Sequence, residues 1–246
     1  MSSKPTDRRS RIAAEQAAEA RRERRNRLLV RGGIAAAALA LVGGITALVV
    51  TTNDHGSGGG AAATATATAT AIPSQPRTTA EGRTTPPPWP APEGSGAATA
   101  VAAAGLPMLS AEGTALHIHA HLDVFADGKA VTVPALVGID EQSQQISPLH
   151  THDTTGVIHI ESPVQADFTL GQFMTEWQVS MSADHLGGLK TDADHTLTAY
   201  VNGKAVTGDP AAIKLGAHDE IALVYGTAAE NAKVAVPGSF AFPSGL

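Results

Sequence analysis

The chain has 246 residues, 43% of them hydrophobic, a net charge of −6 and no cysteine. The missing thiols exclude disulfides, thiolate metal ligands and lipidation at cysteine, and the mild acidity gives the chain as a whole no footprint for nucleic acid. The charge is unevenly spread: residues 1–31 hold ten Lys and Arg against four Asp and Glu, residues 32–107 two against three, and residues 108–246 five against sixteen.

Residues 1–27 are a basic head, whose stretch RIAAEQAAEARRERRNR suits a short helix on an anionic membrane surface and whose charge serves as a topology signal. Gly32 to Val50 then runs 19 residues without a charge, with Leu28, Leu29 and Val30 just ahead of Arg31. At about 1.5 Å per residue such a helix is roughly 28 Å long, close to the thickness of a bilayer core. Residues 28–50 are therefore expected to be a single transmembrane helix in contact with membrane lipid. The alternative, a long-headed cleavable signal peptide, lacks a small-x-small site directly after Val50. All the basic residues of the head precede the span and the next one is Arg77, so the positive-inside rule places the N-terminus in the cytoplasm and the C-terminal part outside. This is the pattern of a single-pass protein of the cell membrane. Since topology accounts for the head's charge, no nucleic-acid partner is expected.

Residues 51–107 repeat Gly, Ala, Thr, Ser and Pro, as in GSGGGAAATATATATA and TTPPPWPAPEGSG. They hold too little large apolar surface to offset the entropy of ordering, which predicts a disordered linker with Trp89 as an incidental loop aromatic.

Residues 108–246 have the size of one small extracytoplasmic domain. Asp127-Gly128 in VFADGKAVTV and Asn202-Gly203 in TAYVNGKAVTG each sit between β-rich runs and predict two tight hairpins. Thr169-Leu170-Gly171-Gln172 fits a capping box, and Phe168 with Phe173 fits a hydrophobic staple. Leu170, Phe173, Met174 and Trp177 repeat at helical spacing, which predicts one amphipathic helix over about 170–178. GVIHIES reads as a strand, and EIALVY, almost wholly apolar, as a buried central one. Hairpin, strand, helix, hairpin and final strand predict an α+β fold, a small mixed β-sheet with one packed helix.

FTLGQFMTEW, LTAYVNGKAVTG and KLGAHDEIALVYG together resemble the helix, hairpin and closing strand of β-grasp domains, such as ubiquitin-like and cobalamin-carrier C-terminal modules. That resemblance implies a sheet wrapped around the helix. HIHAHLDVFADGK, SPLHTHDTTGVIHIES and FTLGQF resemble a family of membrane-tethered bacterial His-rich proteins, which implies architecture and location but no catalytic residue.

The histidines carry the chemistry. Side chains alternate along a strand, so His117, His119, His121, Asp123 and Phe125 share one face while Leu116, Ile118, Ala120, Leu122 and Val124 share the other. In VIHIES, His159 and Glu161 lie opposite Ile158 and Ile160, and LHTHD adds the alternating pair His150 and His152. Alternate strand residues are about 6.6 Å apart, so with metal–nitrogen bonds of about 2 Å one ion takes two neighbours of the triplet and not all three. The expected site joins two of His117, His119 and His121 to one or two of His150, His152 and His159, with Asp153 or Glu161 as a ligand or orienting partner. The bland counterpart is a wetted polar sheet face. Without cysteine and with four methionines the ligand set is not soft, so zinc, copper(II), nickel or iron(II) fits better than copper(I), with copper or zinc preferred; no organic cofactor is indicated. His185, His195 and His218 fall in turn-like contexts and are expected at the surface.

Familiar enzyme signatures fail. The cupin acid is missing where Thr155-Gly156-Val157 stands, the metallo-β-lactamase pattern breaks after His152-Asp153, and no HExxH, serine elbow, phosphate loop or dinucleotide fingerprint occurs. The residues point to a membrane-anchored extracytoplasmic domain that captures, senses or delivers copper or zinc. Two alternatives share the same residues: a metal-dependent enzyme with an open histidine-ligated site, and a metal-free module that binds a cell-envelope protein.

Overall fold

The computed structural model describes residues 71–246; the basic head, the expected transmembrane helix and the first part of the linker lie outside the described residues. The described part is mixed α+β, mostly sheet with few helices, and none of those helices is long and apolar enough to cross a membrane. Its strands are β1 (Leu116–Ala126), β2 (Lys129–Val131), β3 (Ile139–Asp140), β4 (Gln145–Ile146), β5 (Leu149–His150), β6 (Val157–Ser162), β7 (Met181–Ser182), β8 (His185–Leu186), β9 (Leu189–Lys190), β10 (His195–Val201), β11 (Lys204–Val206) and β12 (Glu220–Thr227). Its helices are α1 (Ser95–Ala103), α2 (Leu170–Glu176) and α3 (Ala228–Asn231).

A seven-stranded sheet runs in the order β11-β10-β12-β1-β6-β5, with β2 also paired to β1. β1 and β12 lie parallel at its centre, and the other pairings in the sheet are antiparallel. Both expected hairpins form. Asp127 and Gly128 have φ of 52° and 73°, and Asn202 and Gly203 have 51° and 73°, the consecutive left-handed residues of a type I′ turn. The apolar run of β12 follows from its position between two strands, where Ile221, Ala222, Leu223 and Val224 are buried on both faces.

Ala120, Leu122 and Val124 of β1 join Ile158 and Ile160 of β6, Leu149 of β5, and Ile221 and Leu223 of β12 in one core with Phe173 and Trp177 of the helical segment. α2 begins as its sequence predicts: Thr169 Oγ1 accepts the Gln172 N–H at 3.3 Å, and Gln172 Oε1 accepts the Thr169 N–H at 3.2 Å. Yet every residue from Leu170 to Glu176 is buried, so the helix is covered all round and not on one face only.

The second cover corrects the linker. Residues 71–107 were expected to be disordered, but they form α1 and an extended segment that packs on the domain. Trp89 is 2% exposed and belongs to the core. Its indole meets that of Trp177 edge to face at 5.7 Å, its Nε1–H donates to Thr85 O at 2.8 Å, and the Trp177 Nε1–H donates to Trp89 O at 2.8 Å. Gly187 makes room for it, since a Cβ there would lie 2.6 Å from the Trp89 ring. In α1, Ala97, Ala100 and Val101 are buried, small side chains that let one helix approach another closely. The segment cannot fold on its own apolar content; it borrows the uncovered side of α2. The folded unit therefore starts well before Met108 and has more than one helix.

Candidate metal centre

The core face sets the register that gathers the histidines. Ile118 pairs with Ile160 and Ala120 with Ile158, which forces His119 opposite His159 on the other face; Leu149 pairs with Ile160, which forces His150 opposite His159. Three histidines thus stand in one row across β1, β6 and β5. One register step away, His117 faces Glu161.

This second face is not a wetted surface. His119 is 3% exposed, His150 0%, His159 6% and Glu161 2%, whereas His117 and His152 keep about two-fifths of their side chains open to solvent. The rings of His150, His152 and His159 converge, with centroids 4.8 Å (150 to 152), 5.1 Å (150 to 159) and 4.5 Å (152 to 159) apart. Between His150 and His152, Thr151 is anchored by donating its Oγ1–H to Pro134 O at 2.8 Å and accepting the Val137 N–H at 3.1 Å. That anchoring fixes the two flanking imidazoles on the same side.

Hydrogen bonds fix the tautomers. A carbonyl only accepts, so His150 Nδ1, 2.9 Å from Ser147 O, carries the proton and its Nε2 keeps a lone pair. That Nε2 is buried and has no hydrogen-bond partner. His159 Nδ1 lies 3.1 Å from Glu161 Oε1 and donates to the carboxylate, which orients its ring beside those of His150 and His152. An imidazole held at one nitrogen by a carbonyl, with the other nitrogen unpartnered, as in His150, is the usual geometry of a metal-binding histidine. Ser147 is itself held by donating its Oγ–H to Glu176 at 2.6 Å, a buried acid whose pKa burial pushes well above the usual range.

Electrostatics keep two of the buried rings, His119 and His150, neutral. Burial, and then the neighbouring imidazoles of His159 and His117, hold His119 down to about 3. Burial and His159 hold His150 well below its ordinary value. Both depressed histidines favour the fold above the unfolded value of about 6.5, and that contribution is lost as pH falls toward their folded values, because the unfolded chain takes up protons that the folded chain refuses. His121, raised in the fold, has the opposite sign and helps below about 6.5. The raised buried acid Glu176 shares that sign, so the contribution of the depressed histidines is read as a difference: metal-free protein is expected to lose more of its urea midpoint between pH 7 and pH 5 than the His150→Ala variant, and equal losses would contradict the buried neutral ring.

Among the described residues, four groups have ligand atoms within 4.8 Å of one another: His150, His152 and His159; His117, His119 and Glu161; Glu112, His150 and Glu161; and His121, Asp123 and Glu220. Tetrahedral bonds of about 2.05 Å put ligand atoms about 3.4 Å apart, a spacing close to the separations within these sets. The ligands expected from the sequence are therefore sorted differently. The LHTHD pair and His159 make a set without the first strand, while His117 and His119 group with Glu161.

Asp153 does not join them; its carboxylate accepts from Thr155 N and Thr155 Oγ1 and closes a turn. His121 also stands apart. Its Nδ1 is 2.7 Å from Glu220 Oε2, its Nε2 is 2.7 Å from Thr155 O, and its ring stacks on Phe240 at 3.8 Å. Burial opposes its charged form, but the hydrogen bond and charge of Glu220, with the Thr155 carbonyl and Asp123, raise its pKa. With Glu220 at one nitrogen and the Thr155 carbonyl at the other, both of its ring nitrogens are engaged, and it groups with Asp123 and Glu220 and not with the other histidines.

Glu112 is the residue that pattern reading misses. It sits in the loop before β1, 3.8 Å from His152 Nε2, and its pKa is raised by burial and by the charge of Glu161. No periodicity marks it, since its place is set by the tertiary path of the loop.

A nucleophile-like arrangement elsewhere carries less. Ser180 Oγ is 2.8 Å from His185 Nε2, and His185 Nδ1 is 2.8 Å from Asp184 Oδ1, beside a cavity of about 410 Å³. But Ser182 Oγ competes for the same Nδ1 at 2.9 Å, and the Asp184 side chain is 81% exposed. This is a hydrogen-bonded surface turn. Compared with protein-family models, curated proteins and solved structures, the chain matches none.

Proposed function

We propose that the protein is a membrane-anchored, extracytoplasmic metal-binding protein that captures, senses or delivers copper or zinc through His150, His152 and His159. The observation that carries this reading is the lone pair of His150 Nε2, buried without a hydrogen-bond partner in a convergent group of three imidazoles. An unsatisfied buried polar atom costs about 1–3 kcal/mol, and a bound cation removes that cost. The absence of cysteine and the neutral imidazole of His150 support copper(II) or zinc over a softer ion. The part-exposed His152 gives the ion a way in and out, which suits capture and delivery better than permanent structural binding.

The anchor belongs to the same proposal: the uncharged run Gly32–Val50 behind a basic head supports a single span in the bilayer, with the domain outside. The sheet order, with parallel β1 and β12 at the centre and α2 against the core, supports a β-grasp-like carrier. An envelope protein that supplies or receives the ion is the partner this role calls for.

The test is a titration of the full chain, purified tag-free in detergent and stripped of metal, with Zn²⁺ and with Cu²⁺ against a competing chromophoric chelator. Saturable binding reversed by excess chelator is expected. No retained ion with either metal would overturn the reading in favour of a metal-free interaction module.

A further inference from the structure

We infer that a second divalent cation binds beside the first, held by His117, His119 and Glu161. The inference rests on the metal-binding reading above. Its geometry is separate from the three-histidine set. Glu161 Oε1 lies 3.5 Å from His117 Nε2 and 3.9 Å from His119 Nε2, and the three ligand atoms fall within the span that one ion bridges. His119 is 3% exposed, and its Nε2, turned toward Glu161, has no hydrogen-bond partner. His117, 39% exposed, gives this second position its own route to solvent.

Glu161 joins the two positions. The same Oε1 accepts the His159 Nδ1 proton at 3.1 Å, and His159 is also a member of the three-histidine set. The rings of His119 and His159 meet edge to face at 4.6 Å, so the two sets touch without sharing a histidine. An ion on Glu161 therefore reaches the first site through one carboxylate–imidazole hydrogen bond. Two imidazoles and a carboxylate form a harder donor set than three imidazoles, which suits zinc or another borderline divalent ion and leaves remaining coordination positions to water. Two different donor sets in contact give the domain a means of holding two ions of different preference, beyond what capture of one requires.

The test uses the metal-stripped full chain in detergent, titrated with Zn²⁺ alone under chelator competition. Two equivalents are expected for the unaltered chain, and one for His117→Ala, whose partly exposed side chain makes a folding defect the smaller risk. His152→Ala should likewise keep one equivalent, so each variant loses a different ion. One equivalent in the unaltered chain, kept by His117→Ala and lost in His152→Ala, would overturn the second site while leaving the first reading intact. Two equivalents that both survive His117→Ala would also overturn it. No binding at all would overturn both.

Discussion

His150→Ala is expected to weaken zinc or copper binding at the three-histidine site by more than 100-fold. Loss of a partner that merely orients a ligand costs about 10–100-fold in metal affinity, and His150 is placed to be a ligand itself. Its side chain is fully buried, its Nδ1–H is committed to Ser147 O, and its Nε2 has nothing else to bind. Removing it deletes one of three convergent donors. The cavity left behind also lowers stability, so affinity is to be read by chelator competition at a temperature where circular dichroism shows the variant folded. His195→Ala is the matched control. That ring lies at the surface, 2.9 Å from Asp192, and its loss should leave affinity unchanged. Equal effects of the two substitutions would mean that the ion sits elsewhere.

Trp89→Ala is expected to cost about 3–5 kcal/mol of folding stability, the range for removing a large aromatic from a core. The residue is 2% exposed, packs edge to face on Trp177, and satisfies its own N–H on Thr85. The loss should appear as a lowered urea midpoint with an unchanged slope. A change below about 1 kcal/mol would show that the segment around Trp89 does not contribute to the fold, since an exposed substitution of this kind is nearly silent.

The two predictions mark where sequence reasoning reaches and where it stops. Local signals were legible: two left-handed dipeptides placed the hairpins, Thr169 and Gln172 placed the start of α2, and the apolar run from Ile221 placed the central strand. Parity along β1 and β6 put Ile118, Ala120, Ile158 and Ile160 on the core side and the histidines on the other. What parity cannot give is cover. The imidazole face is buried in part because the rings of His150 and His152 pack on His159, and because Phe240, far along the chain, stacks on His121.

The same limit explains residues 71–107. Judged by their own composition they lack apolar surface, and only the unclaimed side of α2 gives Trp89 and Val101 a place to bury. It explains the sorting of the expected ligands too. Asp153 is spent on Thr155 two residues on, and His121 on Glu220 across β1 and β12, while Glu112 enters from a loop without any period.

The most direct test of a three-histidine metal site is the position of the ion. Anomalous diffraction at the zinc absorption edge, from crystals of the zinc-loaded protein, is predicted to give a peak about 2.0–2.1 Å from ring nitrogens of His150, His152 and His159. A zinc-loaded crystal with no peak among these three rings, or with its only peak at His121, Asp123 and Glu220, would contradict the site proposed for this protein.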